Sequence, residues 1–127
     1  MTEATKKVLI IDDEEIIRDT LADRLQHVGI DVCTVSGGIE GLEKALSEKP
    51  DLVLLDIIMP DLDGWEVLKR LRADSWGKSA NIILLSILND ENSTMKALEY
   101  GVRQFIVKSD WHIDQMVTTV KENLGMK

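Results

Sequence analysis

One stretch of the chain, residues 52–64, restricts the possible folds more than any other. It begins with four aliphatic residues, Leu52 to Leu55, a run typical of a strand that is buried on both faces. The run ends on Asp56, whose carboxylate is costly to bury without a partner and therefore belongs at the open end of the strand. Pro60 cannot continue backbone pairing, and Asp63-Gly64 indicates a turn or a helix cap. Ligands of parallel α/β sheets bind at this carboxyl edge, so Asp56 stands where chemistry is expected.

Length and composition restrict the class of protein. The 127 residues suffice for one domain, residues 1–127, with an ordinary apolar fraction of 44%. A net charge of −8 disfavours direct nucleic-acid binding, which needs clustered lysine and arginine. The single cysteine, Cys33, excludes an internal disulfide and fits a reducing compartment. Because no apolar run approaches the roughly 20 residues of a membrane span, we expect a cytoplasmic protein without membrane insertion.

The chain repeats a strand-then-helix pattern five times. Each helix carries apolar residues at helical spacing, as Ile17, Leu21, Leu25 and Val28 do in the first. Strands alternating with helices predict an α/β fold with parallel strands and right-handed crossovers. Aliphatic runs place the five strands at residues 6–11, 31–35, 52–55, 81–85 and 103–107.

Further features lie between the strands and after the last of them. Ser36-Gly37-Gly38 either leads into the second helix or holds an anion at its start. Residues 73–79 are predicted to form a loop, and the last two helices are placed at about 91–100 and 111–124. Asp12 and Glu15 have the spacing of a capping box, which offers a purely structural reason for the acidic residues after the first strand.

Polar groups follow four of the five predicted strands. Asp12-Asp13, Asp56, Ser86 and Lys108 come at these ends, which meet at one edge of a parallel sheet. Crowded carboxylates repel one another and favour a divalent cation, and oxygen ligands suit Mg²⁺. A carboxylate beside Mg²⁺, an ammonium and a hydroxyl can accept a phosphoryl group. We therefore predict that Lys108, Asp12 and Asp13 lie within ~10 Å of Asp56, the range of useful Coulomb interaction in salt.

At this point the chain resembles the receiver domain of bacterial response regulators over essentially its whole length. The resemblance depends on the order and spacing of four features: residues 8–14, the Asp56–Gly64 string, Ser86 after an aliphatic strand, and residues 97–108. It implies a doubly wound, flavodoxin-like, five-stranded parallel sheet of strand order 2-1-3-4-5 with five helices. It also implies a phosphorylation-dependent signalling switch in a two-component phosphorelay.

The resemblance assigns the chemistry residue by residue. Asp56 would be the phosphoacceptor, supplied by a histidine kinase or a histidine phosphotransfer protein. Mg²⁺, with Mn²⁺ as an alternative, would be held by Asp12, Asp13, Asp56 and the backbone carbonyl of Ile58. Binding of such an ion would neutralise charge during transfer.

Further residues would bind the phosphoryl group and transmit its presence. The resemblance gives this binding to Ser86, Lys108 and the backbone amide of Ile87. Ser86 and Phe105 would form the switch, shifting the surface of the fourth helix, fifth strand and fifth helix. Without the resemblance, an ordinary core position explains Phe105 as well as a switching role does.

Two further expectations concern turnover and assembly. Ile58 and Ile87 would place aliphatic bulk around the phosphoryl group and shield it from water, so we predict only slow self-dephosphorylation and no ordinary enzymatic activity. The family usually has proline after the lysine, where this chain has Ser109. A monomer or a weak phosphorylation-dependent dimer is expected.

Sequence motifs distinguish this function from its alternatives. A haloacid-dehalogenase-like phosphatase would need Asp-x-Asp after the first strand, which Asp12-Asp13-Glu14 does not supply. A nucleotide or cofactor binder of the same fold would need a glycine-rich phosphate loop, which the sequence lacks. A phosphorylation-independent interaction module stays open, and so does the choice between a stand-alone regulator and one domain of a longer protein.

Overall fold

Five parallel strands form one sheet in a computed structural model of the chain, which describes residues 5–86, 91–102, 104–108 and 112–126. The strand order is β2-β1-β3-β4-β5. The strands are β1 (Lys7–Ile11), β2 (Asp31–Val35), β3 (Leu52–Asp56), β4 (Ile82–Ser86) and β5 (Gln104–Val107). The predicted doubly wound, flavodoxin-like α/β class and its strand order are confirmed.

Helices follow each strand, as the alternating pattern predicts. They are α1 (Glu15–His27), α2 (Gly38–Glu48), α3 (Gly64–Ala73), α4 (Glu91–Glu99) and α5 (Ile113–Asn123). The predicted loop at 73–79 contains one short 3₁₀ turn, Gly77–Ser79. Arg103 and Trp111, with which the sequence pattern begins the fifth strand and fifth helix, lie outside the described residues.

Alternation along the buried strands divides the core into two layers. Side chains of one parity, such as Leu9 and Leu55, pack with residues of α2 and α3. The other parity, such as Ile10 and Leu54, packs with α1 and α5. Helices therefore cover both faces of the sheet, and β1, β3 and β4 are almost entirely buried.

Several apolar residues of the helices are less buried than their spacing suggests. Val28 comes after the last residue of α1, and Ile39 lies in the first turn of α2. Both side chains are exposed, as are Met95 and Leu98 of α4, whereas the small Ala97 between them is buried. Helical spacing therefore overestimates the burial of these four residues.

The start of α2 is capped by a residue from another loop. Asp61 accepts hydrogen bonds from the backbone N–H groups of Gly38 at 3.0 Å and Ile39 at 3.2 Å. These two bonds lower the pKa of the Asp61 carboxyl below its usual value. A Cβ on Gly38 would lie 2.3 Å from the Leu62 carbonyl oxygen, so glycine permits the approach. The predicted loop into the second helix is confirmed, because α2 begins at Gly38, and the backbone N–H groups at this helix start bind the protein's own Asp61.

A single guanidinium joins three segments at the opposite edge of the sheet. Arg72 Nε donates to the carbonyl oxygen of Tyr100 at 2.7 Å. Its Nη1 donates to the carbonyls of Gly77 and Ala80, each at 2.7 Å. The planar fork of arginine thus satisfies carbonyls that follow α3 and α4 and precede β4.

We expect Arg72→Lys to lower the free energy of unfolding by about 2 kcal/mol, because lysine cannot serve all three carbonyls together. Urea unfolding followed by circular dichroism measures the loss. Arg70→Lys is the matched control, since among the described residues Arg70 contributes an exposed ion pair with Glu66, and we expect a change below about 0.5 kcal/mol. Equal losses in the two variants would contradict a structural role for the Arg72 contacts.

Candidate functional site

The polar residues at the strand ends converge on the carboxyl edge of the sheet. Asp12 directly follows β1, Asp56 and Ser86 are the last residues of β3 and β4, and Lys108 directly follows β5. Asp12 is fully buried and Asp56 is 3% exposed, and Ser86 and Lys108 are also buried. These are the buried polar and charged residues of the described chain, and all four lie at this edge of the sheet.

The Lys108 ammonium lies at the centre of this group. Its Nζ is 2.9 Å from Asp12 Oδ2, 3.3 Å from Asp56 Oδ2 and 2.7 Å from Glu14 Oε1. The prediction that separate strand ends bring an ammonium and carboxylates together is confirmed, at distances well inside ~10 Å.

Three aspartates form an oxygen-rich cluster beside the ammonium. Asp12, Asp13 and Asp56 each offer a carboxylate oxygen, and these atoms lie within 4.8 Å of one another. Asp12 Oδ2 is buried and, apart from its ion-pair contact with Lys108, accepts no hydrogen bond from the described residues. A hard divalent cation fits this donor set, because it takes oxygen ligands and offsets the mutual repulsion of the carboxylates. The Ile58 N–H donates to Asp56 Oδ1 at 3.3 Å, and a metal contact of the Ile58 carbonyl stays a prediction.

Burial and neighbouring charges shift the pKa values of Asp56 and Lys108. Desolvation, followed by the charge of Asp12, raises the pKa of Asp56 to about 7, although Lys108 opposes the shift. Burial alone would lower the pKa of Lys108, but the nearby Glu14, Asp12 and Asp56 carboxylates outweigh burial and raise it. The site therefore holds a firmly charged ammonium beside a carboxylate that ionises reluctantly without further positive charge.

Ser86 and Phe105 lie on neighbouring strands. In the register of β4 and β5, Ser86 is opposite Val107 and Leu84 is opposite Phe105. Strand alternation places all four residues on one face of the sheet. Phe105 is partly buried and packs against the core layer that includes α3. Its switching role stays a prediction, and the Ile87 amide and the Lys108–Ser109 bond lie outside the described residues.

The predicted capping box of Asp12 and Glu15 is not formed. The N-cap residue of α1 is Glu14, and its side chain makes no capping hydrogen bond. Asp12 Oδ1 instead accepts from the Glu14 N–H at 2.8 Å. Glu14 had no predicted role of its own, although its place directly after Asp12-Asp13 was a signal that could have placed it at the site.

A family comparison agrees with the fold and site. The model of the response regulator receiver domain matches residues 8–121. This chain belongs to the response regulator receiver domain family.

Curated relatives include regulators of known name. The alkaline phosphatase synthesis transcriptional regulatory protein PhoP of Bacillus subtilis is 42% identical over 103 residues, covering 81% of this chain and 42% of that protein. A probable transcriptional regulator, ycf27 of Guillardia theta, is 43% identical over 106 residues, covering 84% of this chain and 41% of that protein. The chain thus spans less than half the length of these relatives.

Solved structures share the architecture. The chemotaxis protein CheY4 of Vibrio cholerae superposes with a TM-score of 0.86 at 28% identity, covering 94% of this chain and 98% of that one. The response regulator DrrB of Thermotoga maritima gives 0.83 at 26% identity, covering 96% of this chain and 54% of that one. Separately, within the described residues no helix has both the length and the apolar character to cross a bilayer.

Proposed function

We propose that Asp56 accepts a phosphoryl group from a histidine kinase or a histidine phosphotransfer protein, and that the domain, residues 1–127, is a two-component signalling switch. The observation that carries the proposal is the contact of buried Asp56 with Lys108 at 3.3 Å, beside a second buried carboxylate, Asp12. A buried ammonium among carboxylates is expensive to maintain as mere scaffolding, whereas a site for an incoming phosphoryl group needs it.

Asp12, Asp13 and Asp56 would hold Mg²⁺, or Mn²⁺ in its place, with the Ile58 carbonyl as a further ligand. The cation supplies neutralisation of the carboxylates and of the phosphoryl oxygens. Asp13 is exposed, so its carboxylate is accessible to an arriving hydrated ion. Positive charge at this point also favours the ionised form of Asp56, which is the form that attacks phosphorus.

The transfer requires one bond to form and one to break. An Asp56 carboxylate oxygen bonds to phosphorus while the phosphorus–nitrogen bond of a phosphohistidine donor breaks, and the imidazole nitrogen keeps the electron pair. Lys108 neutralises the phosphoryl oxygens, and Ser86 and the Ile87 amide donate hydrogen bonds to them. No oxidant or other co-reactant is needed.

Output would follow from rearrangement around Ser86 and Phe105. The added oxygens attract Ser86, which biases a two-state arrangement of α4, β5 and α5. Met95 and Leu98 leave exposed apolar surface on α4, which suits a surface whose partner or packing changes with state. The relatives named above are longer than this chain. The downstream target that we propose is therefore either another protein or an output domain.

Exposed apolar residues near the site suit contact with a phosphodonor. Ile58 follows Asp56 by two residues and is 49% exposed, and Ile16 in the first turn of α1 is 83% exposed. Ile16 and Lys108 line the same shallow depression between α1 and α5. A contact of this kind suits a protein that acts in the cytoplasm by binding other proteins. We propose that it is a monomer or a weak phosphorylation-dependent dimer, without membrane insertion or direct nucleic-acid binding.

Incubation with acetyl phosphate and Mg²⁺ tests the proposal. We expect the intact mass to increase by one phosphoryl group, with acetate released as the phosphorus–oxygen bond of the donor breaks. Labelling should be lost in Asp56→Asn and in the presence of EDTA, and retained in Asp31→Asn, which changes an exposed aspartate at the start of β2. Removal of excess donor should reveal slow decay of the label, because Ile58 and Ile87 shield it from water.

Other outcomes point to other functions. Continuous release of phosphate without retained label would indicate a phosphatase. A folded protein without any label would indicate a phosphorylation-independent interaction module. Decay within seconds would contradict the shielding by Ile58 and Ile87 but leave the assignment of Asp56 intact.

A further inference from the structure

Lys108 has more acidic partners than its proposed role requires. Its Nζ contacts Asp12 and Asp56 as described, and its shortest contact, 2.7 Å, is to Glu14 Oε1. Three carboxylates thus surround an ammonium that has three hydrogens to donate. A further oxygen that binds Nζ therefore competes with these partners.

The three carboxylates differ in how readily they return to water. The side chains of Asp12 and Asp56 are 0% and 4% exposed, whereas that of Glu14 is 48% exposed. An exposed carboxylate loses little when it exchanges an ion pair for hydration, but a buried one is left without compensation. Glu14 is thus the partner that is easiest to displace.

The backbone of Glu14 is fixed while its side chain reaches across the fold. Its N–H donates to Asp12 Oδ1 at 2.8 Å, and its carbonyl accepts from the Arg18 N–H at 3.0 Å. Only side-chain rotation is then needed to release Lys108, and this leaves the Asp12 loop and the start of α1 in place.

We propose that Glu14 is a positioning residue that holds Lys108 in the resting protein and yields it to the oxygens of the phosphoryl group on Asp56. The inference rests on the proposed function and deepens it. Glu14 competes with the phosphoryl group for the same ammonium and adds negative charge that repels it. Removing its charge therefore destabilises the resting state and strengthens binding of a phosphoryl group or its analogue.

Glu14→Gln tests this proposal with Glu15→Gln as its matched control. Glu15 is the adjacent exposed residue that opens α1, and it is absent from the described contacts of Lys108. The probe is beryllofluoride, a phosphoryl analogue, titrated by calorimetry at saturating Mg²⁺. We expect Glu14→Gln to bind it about 3- to 10-fold more tightly than wild type, and Glu15→Gln to stay within about twofold of wild type.

Thermal unfolding gives a second readout that a merely structural role would not produce. Without beryllofluoride, Glu14→Gln should melt below Glu15→Gln, because Lys108 loses a charged partner. With saturating beryllofluoride the difference should disappear. Glu14→Asp, which keeps the charge but is one methylene shorter, should fall between wild type and Glu14→Gln in affinity, and it replaces Glu14→Gln if that variant does not fold.

The outcomes separate this inference from the proposed function. If wild type neither binds beryllofluoride nor accepts label from acetyl phosphate, the proposed function fails. If wild type binds it but Glu14→Gln and Glu15→Gln behave alike, only the role of Glu14 is overturned. Weaker binding by Glu14→Gln also overturns it, because Glu14 would then assist rather than compete.

Discussion

Asp56→Asn should be more stable than wild type by about 1–3 kcal/mol at pH 8 in EDTA. Burial and the neighbouring Asp12 raise the pKa of Asp56 to about 7 in the folded protein, against an ordinary value of 3.8. Ionised Asp56 therefore opposes folding, by at most about 4 kcal/mol for a shift of this size, and relaxation and counterions reduce that value. Asparagine keeps the Oδ1 acceptor that receives the Ile58 N–H and removes the charge.

The sign of the pH dependence follows from proton binding. Between pH 3.8 and 7 the folded state holds the Asp56 proton more often than the unfolded state does. The contribution of Asp56 to the free energy of unfolding therefore falls as pH rises from 3.8 to 7. Above pH 7 the destabilisation by ionised Asp56 is complete. The advantage of Asp56→Asn should accordingly be largest at pH 8 and nearly absent near pH 4.

Urea unfolding at the two pH values, with and without Mg²⁺, measures this effect. Mg²⁺ should raise the stability of wild type more than that of Asp56→Asn, which narrows the difference between them. Asp31→Asn should stay within about 0.5 kcal/mol of wild type throughout. An Asp56→Asn variant that is less stable at pH 8 in EDTA would mean that the contact with Lys108 outweighs both desolvation and repulsion by Asp12.

Gly64→Ala should cost about 3 kcal/mol or more, or prevent folding. A Cβ on Gly64 would lie 2.3 Å from the Asp56 carbonyl oxygen and 2.6 Å from the Ile57 Cα. Both are backbone atoms at the end of β3, and the Gly64 N–H donates to the Ile57 carbonyl at 2.6 Å. The first residue of α3 is thus packed against the phosphoacceptor strand, and neither can yield without moving Asp56.

Gly125→Ala provides the control for Gly64→Ala. Gly125 has a φ of +73°, but a methyl group added at its Cα would have no neighbouring atom within 4 Å. Its replacement therefore tests backbone strain alone, which costs about 1 kcal/mol. Urea midpoints compare the two variants. Any folded Gly64→Ala should also bind Mg²⁺ more weakly, whereas Gly125→Ala should not. Similar midpoints for the two would show that β3 and α3 can separate at little cost.

The architecture and the meeting of the strand ends were predictable from sequence for identifiable reasons. Buried parallel strands read as continuous aliphatic runs, as in residues 52–55, and a polar residue at the end of such a run marks the edge where ligands bind. Asp12, Asp56 and Lys108 follow from this rule together with chain order. The resemblance then supplied their roles, which composition and spacing could not.

Contacts between loops were not predictable in the same way. Glu14 and Lys108 are 94 positions apart, and only the folded chain reveals that their side chains meet. Arg72 reads as one more cation on a helix, although it bonds three carbonyls. The exposure of Ile39 in the first turn of α2 was not predictable either, because helical spacing alone does not show which positions the core covers.

The cap of α2 by Asp61 has a consequence for the construction of chimeras. The segment that receives the cap and the segment that provides it are separated by 22 or 23 positions, yet each needs the other for its geometry. Exchanging one of them with a relative in which the matching loop differs would leave either a helix start without its acceptor or a carboxylate without its donors. Chimeras of two regulators should therefore take residues 36–39 and 56–64 from the same parent protein.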